Sequence, residues 1–207
     1  MGIILASSSP RRRELMALIT PDYTVRTSDV DERAIRAETP ALLAQKLAVA
    51  KCRAVAESFR GVAHRLEMIR TLHGVTYCND SIASSPTRTI AGLHALRQKP
   101  ILIAGGYDKH IPFDKLGDEI CRHVKALFLT GFTAEKIYDA VTKSPLYDPK
   151  ALPIRKIDDF REAVLVAAAS AEEGDLVLLS PACASFDHFK NFVERGETFR
   201  SIVNELK

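Results

Sequence analysis

The chain of 207 residues contains no tryptophan, few aromatic residues of any kind (7%) and only four cysteines. It has no apolar run near the roughly 20 residues that a membrane-spanning helix needs. The basic cluster Arg11-Arg12-Arg13 follows the first short apolar stretch instead of preceding it, so no secretory signal is expected. Cys52, Cys78, Cys121 and Cys183 are far apart and form no C-x-x-C pair, which argues against a zinc ribbon or a disulfide framework. A reducing cytoplasm is the expected compartment. A strong excess of one charge is also missing: 29 basic residues face 26 acidic ones, and the parts before and after Ser58 hold 9 against 7 and 20 against 19. With so few aromatic residues to stack on bases, nucleic acid is not an expected partner, nor is a membrane. The phosphate-cradling pattern G-x-x-x-x-G-K-[ST] is absent as well.

What the chain does have is an ordinary globular balance, 46% hydrophobic and 27% charged. At about 150 residues per domain, its length suits one large domain or two small ones. The first part reads β-α-β-α. A strand over 2–6 leads through Ser7-Ser8-Ser9-Pro10 into a helix over 11–19, with serine at the cap and proline at the first helical position. A strand over 23–27 and a helix opening at Thr39-Pro40 follow. From Arg60 onward, strands at 65–72, 75–78, 101–104, 126–129, 154–157 and 176–179 alternate with helices at 87–96, 113–123, 134–141, 160–171 and 188–203, the last with a break expected near Gly196. Such alternation implies parallel β-α-β units. The runs Ile101-Leu102-Ile103-Ala104 and Leu176-Val177-Leu178-Leu179 are apolar throughout, as in strands covered on both faces. A three-layer α/β domain with a mostly parallel, Rossmann-like sheet is therefore expected.

Two regions carry candidate chemistry. Ser8, Arg12 and Arg13 stand at a helix N-terminus, where free N–H groups and guanidinium groups suit a phosphate; an ordinary cap with a solvated basic face is the competing reading. Asp31-Glu32 could polarise water, and Lys51 could reach a phosphate from the next helix. Further on, three loops follow strands at the end where α/β sheets bind ligands: Asn79 to Pro86, Gly105 to Lys109, and Ser180 to Asp187. Their small and polar residues, with Lys109 beside a glycine pair, point to a small anionic ligand. The histidines beyond His64 show no metal-ligand spacing, so no metal site is expected.

The opening I-L-A-S-S-S-P-R-R-R-E-L, with Glu32 and Lys51, resembles the Maf nucleoside triphosphate pyrophosphatases over residues 1–58. That resemblance assigns Ser8, Arg12 and Arg13 to a phosphate loop, Glu32 to an acidic site and Lys51 to the helical lysine. The family's Asp-Thr strand and later glycine-rich segment do not follow, so hydrolysis is not expected. Residues 59–207 resemble the C-terminal domain of the UDP-N-acetylmuramoyl-L-alanine:D-glutamate ligases. The matching motifs are Gly61 to Glu67, Asn79-Asp80-Ser81, Gly105-Gly106-Tyr107-Asp108-Lys109, Leu178 to Asp187, Phe189 to Phe192 and Glu194-Arg195-Gly196. The resemblance implies that Ser84, Lys109, Ser185, Phe186 and Phe192 surround D-glutamate, while His64 and Asp80 approach ATP. Some family members carry Lys where this chain has Ile82. ATP and Mg²⁺ serve the whole ligase, and the chain alone is expected to retain neither, to bind D-glutamate or a similar small anion with nucleotide as a second candidate ligand, and to catalyse nothing unaided. The two short N-terminal strands are expected to add to an edge of the larger sheet or to associate with another chain.

Overall fold

The computed structural model describes residues 3–58 and 63–207, which fall into two compact units, residues 1–60 and 61–207.

In the first unit, β1 (Ile3–Leu5) leads through α1 (Pro10–Ile19) to β2 (Tyr23–Val25), and a 3-10 turn at Glu32–Ala34 precedes α2 (Pro40–Ser58). Thr39 caps α2 by accepting the N–H of Leu42 on its hydroxyl at 3.2 Å. β1 and β2 form a two-stranded sheet. They pair with each other in parallel, Ile3 opposite Tyr23 and Leu5 opposite Val25, because α1 is a crossover long enough to return the chain alongside its own strand. α1 has no buried residue, and Leu18 and Ile19 are largely exposed.

The second unit is a six-stranded sheet in the order β3-β4-β8-β5-β6-β7, formed by β3 (Glu67–Leu72), β4 (Val75–Asn79), β5 (Ile101–Ala104), β6 (Ala126–Leu129), β7 (Ile154–Lys156) and β8 (Leu176–Leu179). β3 is the antiparallel member. It turns into β4 through His73 and Gly74, both at positive φ (50° and 77°), the two-residue geometry whose twist matches a hairpin. The remaining neighbours are parallel. Helices α3 (Pro86–Ala95), α4 (Asp114–His123) and α5 (Ala134–Thr142) link β4 through β7, while α6 (Phe160–Ala169) carries the chain back to β8 and α7 (Phe192–Glu205) follows it. Right-handed crossovers that reverse their direction along a sheet change faces. Accordingly, Cys78, Leu102, Leu127, Leu129 and Leu178 pack towards Leu93, Leu116, Ile120, Ile137 and Val141 of α3 to α5. The alternate residues Tyr77, Ile101, Ile103, Phe128, Val177 and Leu179 meet Phe160, Val164, Phe199, Ile202 and Val203 of α6 and α7. This period-two division of continuous apolar strands produces the expected three-layer α/β/α fold.

Two local expectations are corrected. α7 starts at Phe192, not near His188, because Asn191 caps it by accepting the Glu194 N–H at 2.9 Å. It then runs unbroken through Gly196, which is buried where a Cβ would lie 2.2 Å from His64 Nδ1, so glycine is there for close packing and not for a helix break.

Candidate functional site

β8 lies between β4 and β5, and its chain leaves towards the opposite face of the sheet from theirs. The carboxyl ends of these three strands therefore bound a crevice at a topological switch point. The three loops singled out in the sequence are the ones that follow them.

Arg195, from α7, joins these loops. It is 2% exposed, and its guanidinium donates to Ser81 O (3.0 Å), Cys183 O (3.0 Å), Ala184 O (3.1 Å) and the Ser81 hydroxyl (3.0 Å). Burial pushes its pKa down to about 10, against the opposing pull of Asp187, so it remains a cation at neutral pH. Sequence reading gave this residue no role. The signal was its place on the apolar stripe of α7, where Arg195, Phe199, Ile202 and Val203 recur at helical spacing and are all buried.

The second tie is Asp80. Its Oδ1 accepts the Leu66 N–H (3.2 Å) and its Oδ2 the Ser180 hydroxyl (2.8 Å), which also reaches Thr89 (3.0 Å). Burial raises the Asp80 carboxyl from its ordinary 3.8 to about 6, beyond what those hydrogen bonds hold down. A carboxyl that keeps its proton more tightly when folded contributes stability that is fully present below about pH 4 and lost as pH rises through about 6. Replacing Asp80 by asparagine is expected to flatten this step, worth about 2–3 kcal/mol, in the difference between the two proteins' denaturant stabilities measured from pH 4 to pH 7.

His64 is buried beside the end of β4, with its ring Nδ1 3.0 Å from Asn79 Nδ2 and its backbone N–H donated to Glu67 (2.9 Å). Burial would raise the Glu67 carboxyl, but Arg200 at 2.7 Å and the His64 N–H hold it below its ordinary value. Thus the two residues assigned to ATP by resemblance have their polar atoms committed inside the unit. With no glycine-rich phosphate loop in the sequence, and with Asp80 buried and engaged on both oxygens, these residues do not fit Mg²⁺–ATP by themselves.

The residues assigned to D-glutamate separate into two places. Ser84 and Lys109 line one narrow crevice, too tight as it stands to admit a water molecule, with Tyr107, Ile111, Phe113, Ala182 and Cys183. Phe186 packs edge-on to Tyr107 at 6.0 Å, while Ser185 is buried and accepts the Phe189 N–H through its carbonyl at 2.8 Å. Phe192 instead packs on His64, ring centroids 6.0 Å apart. Lys109 is exposed and makes no ion pair among the described residues, whereas its neighbour Asp108 is paired with Lys136. The crevice thus presents an uncommitted ammonium group beside a hydroxyl and an aromatic wall. The Cys183 thiol is pushed up to about 11 by burial and is no nucleophile. Thr133 accepts the Gly106 N–H on its hydroxyl at 3.0 Å, a support for the glycine pair that sequence reading missed.

In the first unit, Lys51 and Glu32 form an ion pair at 2.5 Å. Ser8, Arg12 and Arg13 are exposed at the start of α1. The hydroxyl that accepts bonds there is Ser7, from the Ser9 N–H (3.3 Å) and Arg12 (3.4 Å), rather than Ser8. Ser9 occupies the cap position without a side-chain cap bond. Among the histidines that show no metal-ligand spacing in the sequence, His94 and His123 meet at Glu119.

Comparison with known proteins bears on family and fold. The family model for Maf-like protein matches residues 2–101, extending past the 1–58 boundary read from the sequence and overlapping a second match. The UDP-N-acetylmuramoylalanine–D-glutamate ligase of Clostridium novyi is 52% identical over 165 residues, covering 80% of this chain and 36% of that protein. The corresponding ligase of Acetivibrio thermocellus is 54% identical over 157 residues, covering 75% and 34%. The chain therefore spans about a third of the length of the curated relatives it matches. Among solved structures, a UDP-N-acetylmuramoyl-L-alanyl-D-glutamate–2,6-diaminopimelate ligase shares the fold at a TM-score of 0.50 and 15% identity, over 99% of this chain and 53% of that one. The second family model, "Mur ligase, glutamate ligase domain", covers residues 64–183, more than half of the chain, and it is to this family that the chain belongs.

Proposed function

We infer that residues 61–207 form the amino-acid-accepting module of a Mur-type ligase, with D-glutamate as its ligand. The observation that carries this reading is a grouping of residues: Lys109, free of any ion pair among the described residues, stands with Ser84 and Tyr107 at the carboxyl ends of β4, β5 and β8. An ammonium group suits a side-chain or α-carboxylate, and the Ser84 hydroxyl supplies orientation. In amide formation such a module positions the attacking amine, and the activated carboxylate comes from elsewhere. His64, Asp80 and Arg195 then act as positioning residues that fix the loops. The chain alone is not expected to turn over, because its sequence has no phosphate-cradling loop.

Thermal denaturation with D-glutamate tests this. A rise in the unfolding midpoint that grows with D-glutamate concentration is expected, since a ligand at 100 times its Kd stabilises by about 2.7 kcal/mol. L-glutamate should shift the midpoint less, and Lys109→Ala should abolish the response. No shift with D-glutamate, or an equal shift in Lys109→Ala, would refute the reading. Nucleotide pyrophosphatase activity is the second reading, favoured by the Maf-like match and the Glu32–Lys51 pair. Pyrophosphate release from nucleoside triphosphates that is lost in Arg13→Ala would reverse the ranking.

A further inference from the structure

Outside the crevice, three side chains converge on the face where α3 meets α4. His94 comes from the last turn of α3, and Glu119 and His123 from α4, spaced four residues apart so that both project from one side of the helix. The His94 Nε2 is hydrogen-bonded to Glu119 Oε2, the His123 Nε2 lies 3.3 Å from that same oxygen, and the two imidazole rings are 5.0 Å apart. All three donor atoms lie within 4.8 Å of one another. We propose that His94, Glu119 and His123 bind a divalent transition-metal ion, with Zn²⁺ the ion to which the donor set commits.

Two imidazole nitrogens and one carboxylate oxygen form a set that Zn²⁺ accepts and Mg²⁺ does not. An ion at about 2.0–2.2 Å from each donor needs them closer to a common point than in a hydrogen-bonded cluster, and the two histidines, being partly exposed, can turn to meet it. Arg122 supports the carboxylate without blocking it. Its guanidinium holds Glu119 Oε1 at 2.7 Å, which leaves Oε2 directed at both rings. The hydrogen bonds from His94 and Arg122 outweigh desolvation and keep the Glu119 carboxyl below its ordinary range, so the ligand is already ionised. Arg122 also places a positive charge near the ion, which moderates the affinity. Cys121 is turned away, its thiol donating to Val141 O at 3.8 Å, and takes no part. Three protein donors leave a fourth position to water, and the bound ion would join α3 to α4.

Equilibrium dialysis of the full chain against Zn²⁺, with Mg²⁺ in excess, tests the site. One Zn²⁺ equivalent is expected that Mg²⁺ does not displace. Its affinity should fall at least about tenfold in His94→Gln/His123→Gln, where neither side chain is buried in the core, and also in Glu119→Gln. The histidine C2–H resonances should broaden or shift on titration in the parent alone. Absence of a bound equivalent, or one retained at full affinity in the double variant, as binding at the exposed Cys52 thiol would give, overturns the proposal.

Discussion

Arg195→Met is expected to lower the unfolding midpoint of residues 61–207 by roughly 10 °C, at the usual 2–4 °C per kcal/mol for a domain of this size. Methionine fills the volume of the arginine stem but donates nothing. Three buried carbonyls, of Ser81, Cys183 and Ala184, then lose the guanidinium, and among the described residues only Ala184 O keeps another donor, the Tyr107 N–H at 2.9 Å. A hydrogen bond from a charged donor is worth about 1.5–3 kcal/mol, and a buried acceptor left without one costs about 1–3 kcal/mol. Removing the cost of burying the cation returns part of this, so a net loss of about 3–5 kcal/mol is expected. Denaturant titration gives the direct check. A loss below about 1 kcal/mol would mean that the loops after β4 and β8 hold their positions without Arg195. Arg195→Lys should recover little, because an ammonium group cannot span the carbonyls that the planar guanidinium reaches.

A second large effect is expected at Gly105. Its φ of +116° is a conformation that residues with a side chain rarely adopt, and a Cβ there would stand 1.9 Å from the Thr130 carbonyl oxygen. The obstacle is backbone at the end of β6, so no side chain can turn aside to make room. Gly105→Ala is expected to destabilise by about 4 kcal/mol or more, combining backbone strain with overpacking. It should also abolish any D-glutamate response, since the segment from Gly105 to Lys109 would have to move. Circular dichroism with thermal melting reads the first effect, and the ligand-induced midpoint shift reads the second. Near-parental stability in this variant would show that the β5 loop can relax and is not held at its observed geometry.

The layered fold was legible because apolar runs such as Ile101 to Ala104 and Leu176 to Leu179 have few solutions other than central strands. The loops that build the crevice were legible as well, since glycine pairs and Ser-Pro steps after such strands mark where the backbone must turn tightly. What sequence could not convey was which strands adjoin. Placement of β8 between β4 and β5 depends on the packing of whole helices, and that placement alone brings Ser84, Lys109 and Cys183 together. The same limit explains Arg195, whose charge masked its place on a buried stripe. It also explains His94, separated from Glu119 by 25 residues and joined to it only through the packing of α3 on α4. For the first unit, the order of elements was readable but the partner of each strand was not.

The central place of β8 also bears on how this chain can be made. During synthesis β3 to β7 emerge first, yet β4 and β5 are not hydrogen-bonded neighbours and cannot close into a sheet until residues 176–179 have been added. Before then each has a bare inner edge of the kind that invites wrong pairing. The hydrogen bonds that β8 makes on both sides span about 75 to 100 residues of sequence, which places their formation among the slow, long-range events of folding. A ribosome must therefore release most of this unit before its crevice can exist, and any nascent intermediate is exposed along the line where the proposed ligand site will later form.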